Sequence, residues 1–197
     1  MKLCVFQGTF NPIHNAHLSM ADYISRKYNF DKILFIPAFI PPHKNCINIS
    51  ANHRLNMVKL AVAGNTKFDV SDIEYKSNDI SYTFITVSKL YDEFSIDGKI
   101  NFIIGSDAFE KIESWYETAK LRYLVKFLVF KRADLFDEKS FEDLRLKGYD
   151  FEFVTMNFMD ISSTEIRDMI VDGKDVSAFL PERVKEYIYD NSLYKSQ

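Results

Sequence analysis

Two histidines three residues apart, His14 and His17, close the run Gly8-Thr9-Phe10-Asn11-Pro12-Ile13-His14-Asn15-Ala16-His17. The run leaves a strand-like apolar segment, turns, and enters a helical pattern, so both imidazoles fall on one side of a helix entrance. A helix N-terminus carries unpaired N–H groups and the positive end of the helix dipole, worth roughly 0.3–1 kcal/mol per nearby negative charge. Two imidazoles added there suit a phosphate. Zinc would need at least one further His, Cys or carboxylate, and the sequence names none. The structural alternative is that His14 closes the turn and His17 packs under a sheet. A Walker loop and a dinucleotide fingerprint are both excluded, because each needs more glycines than this run holds.

A second helix entrance lies at Ile161-Ser162-Ser163-Thr164-Glu165-Ile166-Arg167. Ser162 and Glu165 are spaced as a capping box ahead of the apolar Ile166, Met169 and Ile170. By itself that pattern only starts a helix. Ser163 and Thr164 add hydroxyls and free N–H groups, and Arg167 adds a permanent charge suited to phosphate oxygens. Together they would make a second anion site.

The elements that must position these groups alternate along the chain. Leu3–Phe6, Ile33–Ile36, Phe68–Val70, Asn101–Ile104, Phe127–Phe130 and Phe151–Val154 read as buried strands. Between them Leu18, Ala21, Ile24 and Tyr28 recur at helical spacing, as do Phe84, Val87, Tyr91 and Phe94. A further helix is expected from Ala51 to Ala63, with Ser81 capping the one that follows it. Another starts near Pro181, with Leu180, Val184, Tyr187 and Ile188 on one face. Such alternation predicts an α/β fold, a doubly wound and mostly parallel sheet with helices on both faces. Residues 1–197 are expected to form a single domain with a C-terminal helical part from about residue 160. Ligands in such sheets bind beyond the carboxyl ends of the strands. Of only 6 glycines, Gly8 and Gly105 sit there, where a glycine lets a ligand approach the backbone. Pro37–Ser50 is the longest aperiodic stretch, and loops of that length are usually functional. Asp134–Leu146 reads as a charged, solvated helix.

Composition narrows the function classes. A chain of 197 residues with 47% apolar and 27% charged residues can bury a core without staples. A net charge of −3 argues against nucleic-acid binding, and no apolar run is long enough to span a membrane. Two cysteines, Cys4 and Cys46, make no disulfide framework, so reduced thiols and a cytoplasmic location are expected.

The first run resembles the signature of the nucleotidyltransferase superfamily, and more narrowly that of the bacterial nicotinate-nucleotide adenylyltransferases. Two positions depart from the pattern: Gln7 and Ala16 stand where the family usually has glycine. Alanine suits the second position if it is already helical. Ile161–Arg167 matches the family's motif throughout. Pro41-Pro42-His43-Lys44, Ser81-Tyr82-Thr83 and Gly105-Ser106-Asp107 with Trp115 are similar to further family motifs, so the likeness runs from about Lys2 to Ile188.

The resemblance implies a Rossmann-like nucleotidyltransferase fold and adenylyl transfer from ATP to nicotinate mononucleotide, giving nicotinate adenine dinucleotide and pyrophosphate. It assigns His14, His17, Lys44 and Arg167 to catalysis. Gly8, Thr9, Phe10, His17, Gly105, Asp107, Ile161, Ser162, Ser163, Thr164 and Arg167 go to ATP, with Asp107 at a ribose. Asn11, Lys44, Arg54, Thr83, Trp115 and Tyr116 go to the mononucleotide, with Thr83 near the ring carboxylate and Trp115 beside the pyridine. Mg²⁺ is expected on the ATP, held by phosphates and water and by no protein ligand set. The partners are these small molecules, for a monomer or homo-oligomer that binds neither nucleic acid nor membrane. The attacking phosphate oxygen is already ionised, so no general base is required. Competing expectations are a sister enzyme acting on nicotinamide mononucleotide or phosphopantetheine, or a non-catalytic nucleotide sensor on the same fold. Retention of both histidines, Lys44 and Arg167 speaks against the sensor.

Overall fold

The computed structural model describes residues 1–42, 49–77, 79–131, 137–156 and 161–195. The elements run β1 (Leu3–Gly8), α1 (Asn15–Lys27), β2 (Lys32–Pro37), α2 (Ala51–Val62), β3 (Phe68–Val70), α3 (Thr83–Glu93) and β4 (Ile100–Gly105). They continue with α4 (Ser106–Phe109), α5 (Thr118–Leu124), β5 (Val125–Phe130), α6 (Glu142–Leu146), β6 (Phe151–Val154), α7 (Ser163–Val171) and α8 (Glu182–Asp190). All six expected strands are present, four of them longer than the apolar runs that marked them.

The strands form one sheet in the order β3-β2-β1-β4-β5-β6, and every neighbouring pair is parallel. Strands with unbroken apolar runs must be covered on both faces, and the central four, β2, β1, β4 and β5, are. Cys4, Phe6, Ile33, Phe35, Ile103 and Leu128 point to one side, under α1, α2, α7 and α8. Leu3, Val5, Leu34, Ile36, Phe102 and Ile104 point to the other, under α3, α4 and α5. Winding reverses between β1 and β4, which opens a crevice beyond their carboxyl ends, the place where such sheets bind ligands. Gly8 and Gly105 are the last residues of those two strands.

Some expectations need correction. Residues 138–146 are not wholly solvated. Phe141 is buried and stacks on Phe109, and Leu144 is buried beside it, while Leu146 is exposed. Residues 132–136 lie outside the described ones. Ser81 does not cap α3, whose N-cap is Tyr82. The Ser81 hydroxyl instead accepts from Phe39 N (2.8 Å) and Ile40 N (3.2 Å). The chain has left β2 there, and Ser81 supplies acceptors that the sheet no longer does. Ala16 lies inside α1, where alanine is the best helix former, so the departure from glycine is accommodated. Pro181 stands just before α8, and Leu180, Val184 and Ile188 are buried on the expected face. Cys4 is buried in β1, and burial pushes its thiol pKa well up; Cys46 lies outside the described residues. Among the described residues no helix is long and apolar enough to cross a membrane.

Candidate active site

Beyond the carboxyl ends of β1 and β4 lies a cleft of about 580 Å³. Its walls include Gln7, Gly8 and Thr9 from the first crossing, Tyr82 and Thr83 from the start of α3, Gly105, and Trp115 with Tyr116. Trp115 is half-buried and packs edge-on against Phe102 (6.4 Å between centroids), so its indole is fixed as a flat wall. Tyr116 is exposed and lies on Tyr82 at 4.6 Å. Six residues expected at a ligand (Gly8, Thr9, Thr83, Gly105, Trp115 and Tyr116) therefore share one cleft.

From Thr9 the chain continues into a tight loop. Phe10 has φ 47°, a left-handed conformation that costs a residue with a Cβ roughly 1–2 kcal/mol. Burial of its ring against Phe6 (5.5 Å) and His17 (5.2 Å) holds it there. A Cβ on Gly8 would stand 3.1 Å from that ring, so the glycine admits Phe10 as well as lining the cleft. The loop ends at His14, the N-cap of α1, which is only 2% exposed. Its backbone N–H donates to His17 Nδ1 (3.3 Å), and the two rings lie 3.7 Å apart. With Nδ1 accepting, the ring proton of neutral His17 sits on Nε2, which becomes a donor. His14 thus positions, and His17, half-buried, is the imidazole nearer the surface.

The second helix entrance docks on the same loop. Ser163 Oγ donates to Pro12 O (2.9 Å) and Arg167 Nη1 to Asn11 O (2.8 Å), with Thr164 Oγ1 accepting from Arg167 Nη2 (3.2 Å). Ser162 Oγ accepts from Glu165 N (3.2 Å), and Glu165 Oε2 accepts from Ser162 N (2.7 Å), which completes the capping box. These bonds from Ser162 hold the Glu165 carboxyl below its usual pKa, and the nearby His14 adds to the effect. The backbone N–H groups of Ser163 and Thr164 take no partner among the described residues. At α1 the corresponding Asn15 N–H is already given to Phe179 O (2.8 Å). Among the described residues α7 thus keeps its first two N–H groups open, whereas α1 keeps only that of Ala16.

Arg54, Asn11, Asp107 and Ile161 lie outside the wall of this cleft. The Arg54 guanidinium does not reach the cleft: it is 1% exposed and donates to the carbonyls of Thr9 (2.9 Å), Ala38 and Phe39 (2.9 Å). It ties the loop after β1 to the loop after β2 from beneath. Burial lowers its pKa, and the nearby Tyr75, Tyr194 and Glu74 act against that. Asn11 is 6% exposed and its Oδ1 accepts from Tyr194 Oη (2.7 Å), so its side chain is committed to the core. Asp107 is exposed in the first turn of α4 and is not part of the cleft wall. Ile161 is half-buried and packs on the apolar core. Lys44 lies outside the described residues.

Residues that sequence reading passed over include Tyr194 and Glu74, neither of which stands in a motif. Among the described residues no group of three His, Cys, Asp or Glu could hold a metal ion.

A family model described as cytidylyltransferase-like matches residues 5–169. A protein of Clostridium botulinum (strain Loch Maree / Type A3), called a probable nicotinate-nucleotide adenylyltransferase, is 37% identical, covering 97% of this chain and 98% of its own. One of Caldicellulosiruptor saccharolyticus with the same description is 34% identical, covering 99% of this chain and 100% of its own. In fold the chain is similar to the solved Plasmodium falciparum nicotinic acid mononucleotide adenylyltransferase complexed with NaAD. The TM-score is 0.81 at 22% identity, over 98% of this chain and 97% of that one.

Proposed function

Because the chain belongs to the nicotinate-nucleotide adenylyltransferases of the cytidylyltransferase-like family, we propose that it transfers the adenylyl group of MgATP to nicotinate mononucleotide, releasing pyrophosphate. The observation that carries this reading is the meeting of His17, Arg167 and the free end of α7 on one loop, beside a cleft with an aromatic wall.

The reaction needs two polyanions aligned and the charge on the α-phosphate and departing pyrophosphate stabilised. The nucleophile is an ionised phosphate oxygen, so the chain's task is placement and positive potential. His17 Nε2–H donates to the α/β-phosphate region as charge builds there. The Ser163 and Thr164 N–H groups, at the positive end of α7, hold the outer phosphates, and Arg167 spans the gap to the first loop. Thr9 borders both substrates. Lys44, from outside the described residues, is assigned to the mononucleotide phosphate or the triphosphate. Trp115 stacks on the pyridine. Arg54, Asn11 and His14 hold the loop that carries these groups.

The whole chain is read as one catalytic domain acting in the cytoplasm, in keeping with the lack of a membrane-crossing helix among the described residues. The test is pyrophosphate release by the purified chain with MgATP and nicotinate mononucleotide. Turnover with formation of the dinucleotide is expected. ATP binding without pyrophosphate would favour the non-catalytic sensor.

A further inference from the structure

We propose that this chain also adenylates the amide form of the mononucleotide, and that Gln7 is the residue that admits it; the inference rests on the cleft being the pyridine site. Gln7 stands near the end of β1 and lines the cleft together with Thr83 and Trp115. Its side-chain amide is held at both ends. Nε2 donates to Glu74 Oε1, and Oε1 accepts from Thr83 Oγ1 (2.8 Å). A carboxylate only accepts, so the nitrogen must face Glu74 and the oxygen must face Thr83. Glu74 is buried and cannot swing away, because it also accepts from Thr86 Oγ1 (2.7 Å) and Phe39 N (3.2 Å).

A hydroxyl has one proton to give. With that proton spent on Gln7, Thr83 offers the cleft lone pairs. The second Nε2–H of Gln7 has no acceptor among the described residues. The side chains at this end of the cleft thus present one acceptor beside one donor. A carboxylate brings two acceptors, and one of them meets lone pairs. A carboxamide brings an oxygen that accepts and an N–H₂ that donates, and both find partners. The N–H groups at the start of α3 still attract a negative charge, so the acid remains a substrate. The outcome is use of both.

The experiment compares kcat/KM for pyrophosphate release with MgATP and either nicotinate or nicotinamide mononucleotide. It uses the full chain and its Gln7→Ala, Thr83→Val and Thr83→Ser variants, with melting curves to check folding. The unmodified chain should turn over both. Gln7→Ala frees the Thr83 proton for a carboxylate and should raise the acid-to-amide ratio about tenfold, the worth of one hydrogen bond. Thr83→Val removes the acceptor and should lower amide use about tenfold while changing acid use less. Thr83→Ser keeps the hydroxyl and should keep the original ratio. If Gln7→Ala does not fold, the Thr83 pair decides. Turnover of the acid with none of the amide overturns the proposal. So does a ratio that stays within about threefold in every folded variant. Turnover of neither mononucleotide would bring down adenylyl transfer itself, a failure distinct from the other two.

Discussion

The two helices that begin at the loop of residues 9–13 do so in different ways. α7 satisfies its own start: Ser162 and Glu165 close a box within four residues, and the first two N–H groups remain open. α1 starts on a buried histidine, and its first N–H goes to Phe179, more than 160 positions away. One helix end is a self-contained donor set, and the other is a mount that places an imidazole. The difference teaches that a set of donors can be held by its own cap, whereas a single side chain is placed through contacts distant in the chain. Open N–H groups tolerate some freedom, whereas a single ring must be aimed.

Removing the aimed group strains this contrast the most. His17→Ala should lower kcat roughly 10²–10³-fold, the usual loss for one preorganised donor, with only the modest fall in melting temperature expected for leaving the His14 N–H without its acceptor. A large fall in melting temperature with normal turnover by the folded fraction would instead make His17 a packing residue. Next is the contact that steadies the loop from below. Tyr194→Phe leaves the buried Oδ1 of Asn11 without its donor and should cost about 1–3 kcal/mol. That corresponds to a melting shift of roughly 2–12 °C for a chain of this size. A calorimetric scan that overlays the parent would show the bond to be dispensable.

Smaller still is the cap of α7. Ser162→Ala should cost about 1 kcal/mol in urea unfolding, with a higher KM for ATP as the only kinetic effect. The smallest effect is in acid. The folded pKa of Glu165 is depressed, so its contribution is complete above the unfolded carboxyl value of about 4.3 and fades as pH falls through the lower folded value. Glu165→Gln should therefore flatten the loss of stability as pH falls below about 4.3, relative to the parent. Matching slopes would mean that the box works as a neutral hydrogen-bond pair.

Much of this architecture was readable in advance, because it rests on local patterns. Four of the six strands centre on apolar runs, β3 and β6 alternate around one acidic residue each, and the capping box of α7 fits in four residues. Gly8 and Gly105 mark the right ends of β1 and β4. What escaped depends on partners far apart in sequence. Nothing near Arg54 reveals that its guanidinium serves three carbonyls of two separate loops. Asn11 looks like a ligand residue until Tyr194 is seen to hold it. Ser81 has the right type and place for a cap, yet the unpaired N–H groups of Phe39 and Ile40 take its hydroxyl from the helix. Gln7 was visible only as a departure from a pattern, since Glu74 and Thr83 reach it from 67 and 76 positions away.

The bond between Asn11 and Tyr194 joins residues 183 positions apart, and that gap is also an interval in time. At roughly 5–20 residues per second of synthesis, the loop after β1 leaves the ribosome some ten to forty seconds before its tyrosine does. During that interval the first strand has emerged while the loop that follows it lacks its lower anchor. The loop after the first strand therefore waits for residue 194 to emerge before its buried amide finds a partner.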